Sequence, residues 1–211
     1  GGLNAGIIDS TALPEQAIRD TVASAFQSAG QRCSALRILY VQEDIADDLL
    51  EMLYGAMDEL SLSDPKRLST DMGPVISNTA KQKIDTYIAD ANAKGKLLKQ
   101  MRTPEGGSFV GPAVIEIDSI KSLGEEIFGP VLHVVRFQSD EYESIIDDIN
   151  RSGYGLTFGL HTRISQRADA IPNQLKVGNV YINRNQIGAV VETQPFGGEG
   201  MSGTGPKAGG P

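Results

Sequence analysis

The stretch LRILYV at residues 36–41 is a short apolar run between turn-forming residues and a helical pattern. Similar runs follow at residues 114–117, 131–137, 156–160 and 177–182. Short apolar runs of roughly four to eight residues that are bounded by turn residues are typical of buried strands. The sequence therefore predicts at least five buried strands.

Helical periodicities lie between these runs. Pro14 opens the first helix, because proline is tolerated in a first turn, and the pattern predicts its end near Gly30. Ser77 is a candidate N-cap for a later helix that closes at Gly95. Four apolar stripes mark the helices: Ile18, Val22 and Phe26; Ile45, Leu49, Leu53 and Leu60; Ile84 and Ile88; and Ile145, Ile146 and Ile149. Acidic residues before the last stripe suit the positive end of a helix dipole.

Strands that alternate with helices predict the α/β class, with a mainly parallel sheet flanked by helices on both faces. Sheets of this class usually bind ligands in loops beyond the carboxyl ends of their strands. We therefore expect the chemistry in the irregular stretches at residues 30–35, 124–130 and 194–210, beyond those ends.

The composition excludes several classes of function. A formal net charge of -8 over 211 residues, with no basic stripe, argues against nucleic-acid binding, which needs clustered lysine and arginine. No apolar run approaches the roughly 18 residues of a membrane span. The single cysteine excludes an internal disulfide, so a cytoplasmic location is expected. Gly1 and the glycine-rich end at Pro211 resemble neither a natural start nor a natural stop, which predicts an excised fragment.

Cys33 is the first candidate for chemistry. It lies in QRCSA at residues 31–35, between a predicted helix and a predicted strand, where a loop can present a nucleophile. A lone cysteine is also often a small buried hydrophobic residue. The adjacent Arg32 gives doubtful help to a thiolate, because neighbours in an extended chain point to opposite faces.

Three other features each have a structural interpretation beside a functional one. His133 and His161 fall in predicted strands without metal-ligand spacing, so no metal site is expected, although a Cys-His pair could form in space. The stretch GEGMSG at residues 198–203 matches a dinucleotide fingerprint formally, but it does not join a strand to a helix. Glu125 and Glu126 are either solvated surface or acceptors for vicinal sugar hydroxyls.

Together these signals resemble the aldehyde dehydrogenase superfamily over nearly the whole chain. The matching motifs are GGLNA at residues 1–5, FQSAGQRC at 26–33, EEIFGP at 125–130 and PFGG at 195–198. The stretches NRNQIGAVV at 183–191 and GTGPKAGGP at 203–211 are similar to the bifunctional proline utilization A group within it.

The resemblance implies that Cys33 attacks an aldehyde, that hydride passes to NAD, and that a glutamate-activated water hydrolyses the thioester. By the same resemblance Glu126 holds the nicotinamide ribose and Phe128 packs near the nicotinamide. The implied substrate is L-glutamate γ-semialdehyde, oxidised to L-glutamate in proline catabolism. The residues implied for binding it are Ser34, Ser202 and Gly203 around its carboxylate, and Phe196 along the aldehyde channel.

The resemblance also implies that residues 1–211 are a cysteine-bearing catalytic domain without its NAD-binding domain. The general-base glutamate is expected two residues before Gly1, and the oxyanion-stabilising asparagine and oligomerisation element also fall outside the chain. The isolated chain is therefore expected to be inactive, and its parent to be a homo-oligomer. FAD is expected only if the parent carries a proline dehydrogenase domain.

Two alternatives remain from the sequence. The chain could belong to a dehydrogenase for another carboxylated aldehyde, such as succinate semialdehyde. It could instead be a non-catalytic module that keeps the fold and only binds a ligand or a partner chain.

Overall fold

The computed structural model describes residues 1–189 and 192–209. Val190, Val191, Gly210 and Pro211 lie outside the described residues, and they include the ends of the two motifs similar to proline utilization A.

The centre of the molecule is a seven-stranded sheet in the order β3-β4-β5-β2-β1-β7-β8, in which only β3 is antiparallel to its neighbour. Its strands are β1 Ala5–Ile8, β2 Ile38–Gln42, β3 Leu97–Gln100, β4 Ala113–Glu116, β5 Val131–Phe137, β7 Thr157–His161 and β8 Asn179–Ile182. A separate antiparallel ribbon joins β6 Tyr154–Gly155 to β9 Glu199–Gly200. The predicted α/β class and mainly parallel sheet are confirmed.

The helices are α1 Pro14–Phe26, α2 Glu43–Asp58, α3 Asn78–Ala93, α4 Tyr142–Arg151 and α5 Ser165–Ala170, with short 3-10 segments at Gln27–Gly30, Ile120–Ser122 and Pro172–Gln174. The chain steps from β1 to β2 and on to the edge strand β3, and then returns through β4 and β5 and across the sheet to β7 and β8. Because parallel crossovers are right-handed, α1 lies on one face of the sheet, with α2 packed against it, and α4 and α5 lie on the other.

The five predicted strands and four predicted helices are all present. Ser77 caps α3 as expected, because its side chain accepts a hydrogen bond from the Ala80 amide. Two boundaries differ. The helix α1 ends at Phe26 and is followed by the 3-10 segment Gln27–Gly30, and Leu60 lies beyond the end of α2. Leu60, the last residue of its apolar stripe, still packs against the core after α2 has ended.

The predicted edge of the sheet is wrong. Residues 30–35 directly precede β2 and residues 124–130 directly precede β5, so both stretches lie at the amino ends of parallel strands. The opening residues before β1 lie at the same edge, because β1 is parallel to β2. The rule that ligands bind beyond carboxyl ends describes where crossover loops usually gather. Here the loops entering the strands carry the motifs instead.

Among the described residues, none of the helices has the length and apolar character needed to cross a membrane.

Candidate functional site

The loop that carries Cys33 is shaped by an unusual backbone. After α1, Ser28 and Ala29 have left-handed backbone angles, with φ of 57° and 55°, and Gly30 follows at 64°. A Cβ atom at Gly30 would lie 2.1 Å from the carbonyl oxygen of Gly129. Only glycine fits there, so the turn holds the cysteine loop directly against the loop that precedes β5.

Asn4 fixes the backbone around Cys33. Its buried side-chain amide donates to the Cys33 carbonyl at 2.8 Å and to the Ala35 carbonyl at 2.9 Å. Its side-chain oxygen accepts a hydrogen bond from the Thr157 amide at 3.3 Å. The Cys33 side chain itself is exposed. The loop therefore presents a free thiol on a backbone that is tied to two strands of the sheet.

Arg37 lies directly below this loop and is only 1% exposed. Its Nε donates to Glu126 Oε1 at 3.0 Å, and one Nη also lies 3.0 Å from that oxygen. The two Nη atoms donate to the carbonyls of Gly129, at 3.1 Å, and Arg32, at 3.2 Å. One buried guanidinium thus joins the cysteine loop to the loop of the EEIFGP motif.

The two glutamates of that motif have different surroundings. Glu125 forms a solvent-exposed ion pair with Lys83 at 3.0 Å, whereas Glu126 is largely buried beside Arg37. The Phe128 ring remains 47% exposed, and the Arg37 guanidinium lies 5.1 Å from its centre. Glu126 and Phe128 therefore present a fixed carboxylate and an open aromatic face side by side.

Two buried groups around Cys33, Arg37 and Tyr181, have shifted pKa values. Burial lowers the pKa of Arg37, while the charges of Glu126 and Cys33 oppose that shift. Burial also raises the pKa of Tyr181; a hydrogen bond from Gln194 and the charge of Arg184 oppose this, and the charge of Cys33 adds to it. Arg37 is thus a cation within electrostatic reach of the thiol.

The side chain of Arg32, which precedes Cys33 in the sequence, instead donates to the Ser28 hydroxyl at 3.1 Å, within its own loop.

Ser202 and Gly203 lie in the tight turn that follows β9. The Ser202 hydroxyl accepts a hydrogen bond from the Gly155 amide at 3.0 Å and donates to the Gly1 carbonyl at 2.9 Å. Gly1 in turn lies against Glu126, whose Oε2 would be 2.6 Å from a Cβ atom at that position. The opening residue therefore bridges the tail turn and the loop of the EEIFGP motif. The GEGMSG stretch forms a strand and this turn, not a strand-to-helix connection.

The remaining two predicted residues are placed differently. Ser34 is buried, and its carbonyl accepts a hydrogen bond from the Thr157 hydroxyl at 3.1 Å. Phe196 is half-buried and exchanges backbone hydrogen bonds with Ala208. The structure thus joins Cys33, Ser34, Glu126, Phe128 and Ser202 through shared contacts, while Phe196 belongs to a neighbouring part of the tail.

The histidines do not serve the thiol. Both ring nitrogens of His133 are engaged, with the Tyr87 hydroxyl at 2.7 Å and the Arg37 carbonyl at 2.9 Å. A carbonyl accepts only, so Nδ1 carries the hydrogen and Tyr87 donates to Nε2. Burial lowers the pKa of His133 to about 4. His161 faces Asp20 at 4.0 Å. Among the described residues, no cluster of potential metal ligands is present, and the absence of a metal site stays a prediction.

Sequence reasoning missed Asn4, Arg37 and Tyr181. Arg37 lies within the apolar run at residues 36–41, and a charged residue inside a predicted buried strand is itself a signal of a buried partner. Its partner Glu126 is 89 positions away, and no local spacing connects the two. Asn4 belongs to the quoted GGLNA motif, but its contacts to the cysteine loop depend on strand pairing.

The sequence pattern described as the aldehyde dehydrogenase family matches residues 1–211. The chain is 54% identical to the bifunctional protein PutA of Klebsiella aerogenes over the whole chain, which corresponds to 17% of that protein. It is 36% identical to the 1-pyrroline-5-carboxylate dehydrogenase of Geobacillus kaustophilus, again over the whole chain and 41% of that protein. The chain thus spans less than a fifth of the length of the first relative and two fifths of the second.

Solved structures agree with this similarity. A crystal structure of Bradyrhizobium japonicum proline utilization A, carrying a single substitution, superposes on the whole chain with a TM-score of 0.96 at 53% identity, and the match covers 22% of that structure. A structure of a 1-pyrroline-5-carboxylate dehydrogenase superposes on 97% of the chain with a TM-score of 0.88 at 35% identity, covering 40% of the other chain.

Proposed function

Because the chain belongs to the aldehyde dehydrogenase family, we propose that it is the cysteine-bearing catalytic domain of an NAD-dependent dehydrogenase that oxidises L-glutamate γ-semialdehyde to L-glutamate in proline catabolism. The observation that carries this proposal is the exposed Cys33 thiol on a backbone fixed by Asn4, next to the Glu126 and Phe128 pair. Relatives named PutA and 1-pyrroline-5-carboxylate dehydrogenase support the choice of substrate.

The proposed chemistry begins at Cys33. Its thiolate attacks the aldehyde carbon, a carbon–sulfur bond forms, and the carbonyl oxygen gains the electron pair as a hemithioacetal. Loss of hydride from that carbon leaves a thioester on the sulfur. Water then attacks the thioester, the carbon–sulfur bond breaks, and the carboxylate product leaves while Cys33 is regenerated. The proton of this water goes to a glutamate base, which we place outside this chain.

NAD supplies the acceptor for the hydride when it is bound. The residues of the site fit it, because Glu126 presents a carboxylate that can accept hydrogen bonds from two vicinal ribose hydroxyls. Phe128 offers an exposed ring that can pack along a planar heterocycle. Arg37 holds Glu126 through Oε1 and leaves Oε2 directed towards Gly1, at the opening of the site.

The substrate carboxylate is proposed to bind at the tail turn, where Ser202 and Gly203 offer a hydroxyl and backbone amides, with Ser34 nearby. Small residues in a tight turn let donors approach an anion closely. The Ser202 hydroxyl already donates to the Gly1 carbonyl, so this role requires its hydrogen to turn from Gly1 towards the ligand. Phe196 is proposed to line the aldehyde channel beside this turn.

We propose that residues 1–211 act together with an NAD-binding domain of the same parent polypeptide, and that the isolated chain does not turn over aldehyde. The parent is proposed to be a cytoplasmic homo-oligomer, with FAD present only where it carries a proline dehydrogenase domain. The chain's coverage of 17% of its PutA relative supports a larger parent.

The test measures NADH production by the full-length parent with glutamate semialdehyde, succinate semialdehyde and an uncharged aldehyde. Each assay is run with and without Cys33→Ala, and we expect a loss of at least about a thousandfold in kcat. Cys33 is exposed, so the same variant should unfold at an unchanged temperature.

Preference for succinate semialdehyde would replace the substrate and keep the enzyme. Unchanged activity in Cys33→Ala would overturn the mechanism and favour the non-catalytic binding module. Steady NADH production by the isolated chain would contradict the proposed dependence on the rest of the parent.

A further inference from the structure

We propose that Arg37 is a positioning residue that fixes the Glu126 carboxylate for the cofactor and, through the same guanidinium, sets the electrostatic environment of Cys33. This inference rests on the proposed function for its cofactor part. Its effect on the thiol can be tested without any cofactor.

The geometry of the guanidinium supports this assignment. Its contacts to Glu126 converge on Oε1, and its other donors hold the carbonyls of Gly129 and Arg32. Five donors in a rigid plane leave little freedom once such contacts are made. The carboxylate is therefore held in one orientation, and its Oε2 is the oxygen that can receive a ligand hydroxyl.

The position of Arg37 links two segments that are far apart in the sequence. Arg32 directly precedes Cys33, whereas Gly129 and Glu126 belong to the motif before β5. A shift of the guanidinium therefore moves both the carbonyl before the nucleophile and the carboxylate of the cofactor pocket. Phe128 adds a third contact, because the guanidinium lies 5.1 Å from the centre of its ring.

The charges of Arg37 and Glu126 predict opposite effects of two substitutions on the Cys33 thiol. Arg37 is a buried cation that is paired with Glu126 at 3.0 Å and donates at 3.2 Å to the carbonyl of Arg32, the residue before Cys33. Removing the cation withdraws support from the Cys33 thiolate. Removing the Glu126 charge leaves the full positive charge of Arg37 to act on the thiolate. The two substitutions are therefore expected to change thiol reactivity in opposite directions.

The experiment uses the full-length protein and two readouts, the dissociation constant for NAD from calorimetry and the rate of Cys33 alkylation by iodoacetamide without cofactor. Arg37→Met is expected to weaken NAD binding about tenfold and to slow alkylation about threefold to tenfold. Glu126→Gln is expected to weaken NAD binding similarly and to accelerate alkylation. Arg37→Lys keeps the charge without the planar fork, so it should weaken NAD binding with alkylation near the original rate.

Arg136→Met is the matched control, because Arg136 also contacts carboxylates, Glu116 and Asp47, but lies near the opposite end of β5. It should change neither readout. If Arg37→Met fails to fold, the Arg37→Lys and Glu126→Gln pair still decides the matter.

Changes of alkylation rate in the same direction for Arg37→Met and Glu126→Gln would overturn the inference, since a purely structural role disturbs the loop alike in both. Unchanged NAD affinity in Arg37→Lys and Arg37→Met would also overturn it, while leaving the proposed function intact. Failure of the unsubstituted protein to bind NAD would overturn the proposed function and the cofactor part of the inference together.

Discussion

The two edges of the sheet each bury a carboxylate beside an arginine, yet they differ in what remains open. At the carboxyl edge, after β1, Asp9 is fully buried and accepts hydrogen bonds from Thr11, Thr162 and Arg167. At the amino edge, Arg37 engages one oxygen of Glu126, while the neighbouring Phe128 ring and Cys33 thiol are exposed.

The difference shows that a buried ion pair is not by itself a sign of a functional site. The Asp9 cluster joins the ends of β1 and β7 to α5 and is closed by its own loops, which is a structural arrangement. The Arg37 cluster joins the loops of Cys33, the proposed nucleophile, and Glu126, the proposed ribose acceptor, and it leaves the Cys33 thiol and the Phe128 ring exposed. The two edges therefore differ in the exposure of the side chains beside the buried ion pair, and not in the burial of the ion pair itself.

The largest expected effect tests whether close packing fixes the amino edge. Gly30→Ala should destabilise the chain by about 3–4 kcal/mol, because its Cβ would collide with the Gly129 carbonyl and its φ is 64°. Urea unfolding measures this. Gly55→Ala is the control, because Gly55 lies within α2 with open space around its Cβ position, and there alanine should stabilise by about 0.5–1 kcal/mol. Equal stability of Gly30→Ala and the original chain would show that the loops are not locked together.

A second prediction tests whether the carboxyl edge is purely structural. Asp9→Asn should lower the free energy of unfolding by about 2–3 kcal/mol, because Arg167 loses its partner and an amide donor faces other donors. Aldehyde oxidation by the full-length parent should be unchanged below the unfolding temperature. Asp58→Asn removes an exposed ion pair with Lys99 and should change stability by less than about 1 kcal/mol. A selective loss of activity in Asp9→Asn would break the distinction between the edges.

A fall in pH should lower stability through His133, near the amino edge, and through Asp9, at the carboxyl edge, in two different pH ranges. Burial lowers the pKa of His133 to about 4, below its unfolded value of 6.5, so the unfolded chain binds the proton first as pH falls. Stability should therefore fall by about 2 kcal/mol between pH 7.5 and pH 5, as measured by urea unfolding. His133→Gln should remove most of this slope. His161→Gln should remove a further and separate part of the slope, because burial lowers the pKa of His161 as well, while Asp20 opposes the shift.

The Asp9 contribution has a lower window. Burial raises the pKa of Asp9, but hydrogen bonds from Thr11, Thr162 and Arg167 outweigh it and hold this pKa below the ordinary 3.8. Its stabilising effect should therefore persist until the pH falls below that value. A slope between pH 7.5 and pH 5 that survives His133→Gln and disappears in Asp9→Asn would reverse this assignment.

The smallest expected effect concerns the open side of the amino edge. Ser202→Ala in the full-length parent should reduce kcat/KM for glutamate semialdehyde by about 1–2 kcal/mol more than for an uncharged aldehyde, if the hydroxyl binds a carboxylate. Steady-state kinetics with both substrates measures the difference. Equal losses for the two substrates would assign Ser202 to the structural contacts with Gly1 and Gly155 alone.

The sequence predicted the long elements because their apolar patterns are strong. It missed β1, whose four residues AGII are half small residues, and β3, whose LLKQ lies at a partly exposed sheet edge. It also missed α5, a six-residue helix without buried positions. Short elements of this kind depend on neighbours for their stability, so local periodicity carries little signal for them.

The roles of the site residues stay predictions from motif resemblance, whereas the contacts between these residues come from the structure alone. The motifs single out Cys33 and Glu126 as candidates but contain no information on the guanidinium between them. Arg37 and Glu126 become neighbours only because β2 pairs with β5 in a register that matches Ile38 with His133. The general rule for parallel sheets also pointed to the wrong edge. Both gaps come from strand pairing across long sequence separations, which composition and spacing do not encode.

The close contact between Gly30 and Gly129 has a consequence for protein engineering. A loop graft that replaces residues 27–37 alone would bring a foreign turn against the retained carbonyl of Gly129 and the retained Glu126. Exchange of residues 124–130 alone would leave Arg37 without its acceptors. Chimeras between relatives should therefore transfer both segments as one cassette, and libraries that vary them independently should yield mostly unfolded members.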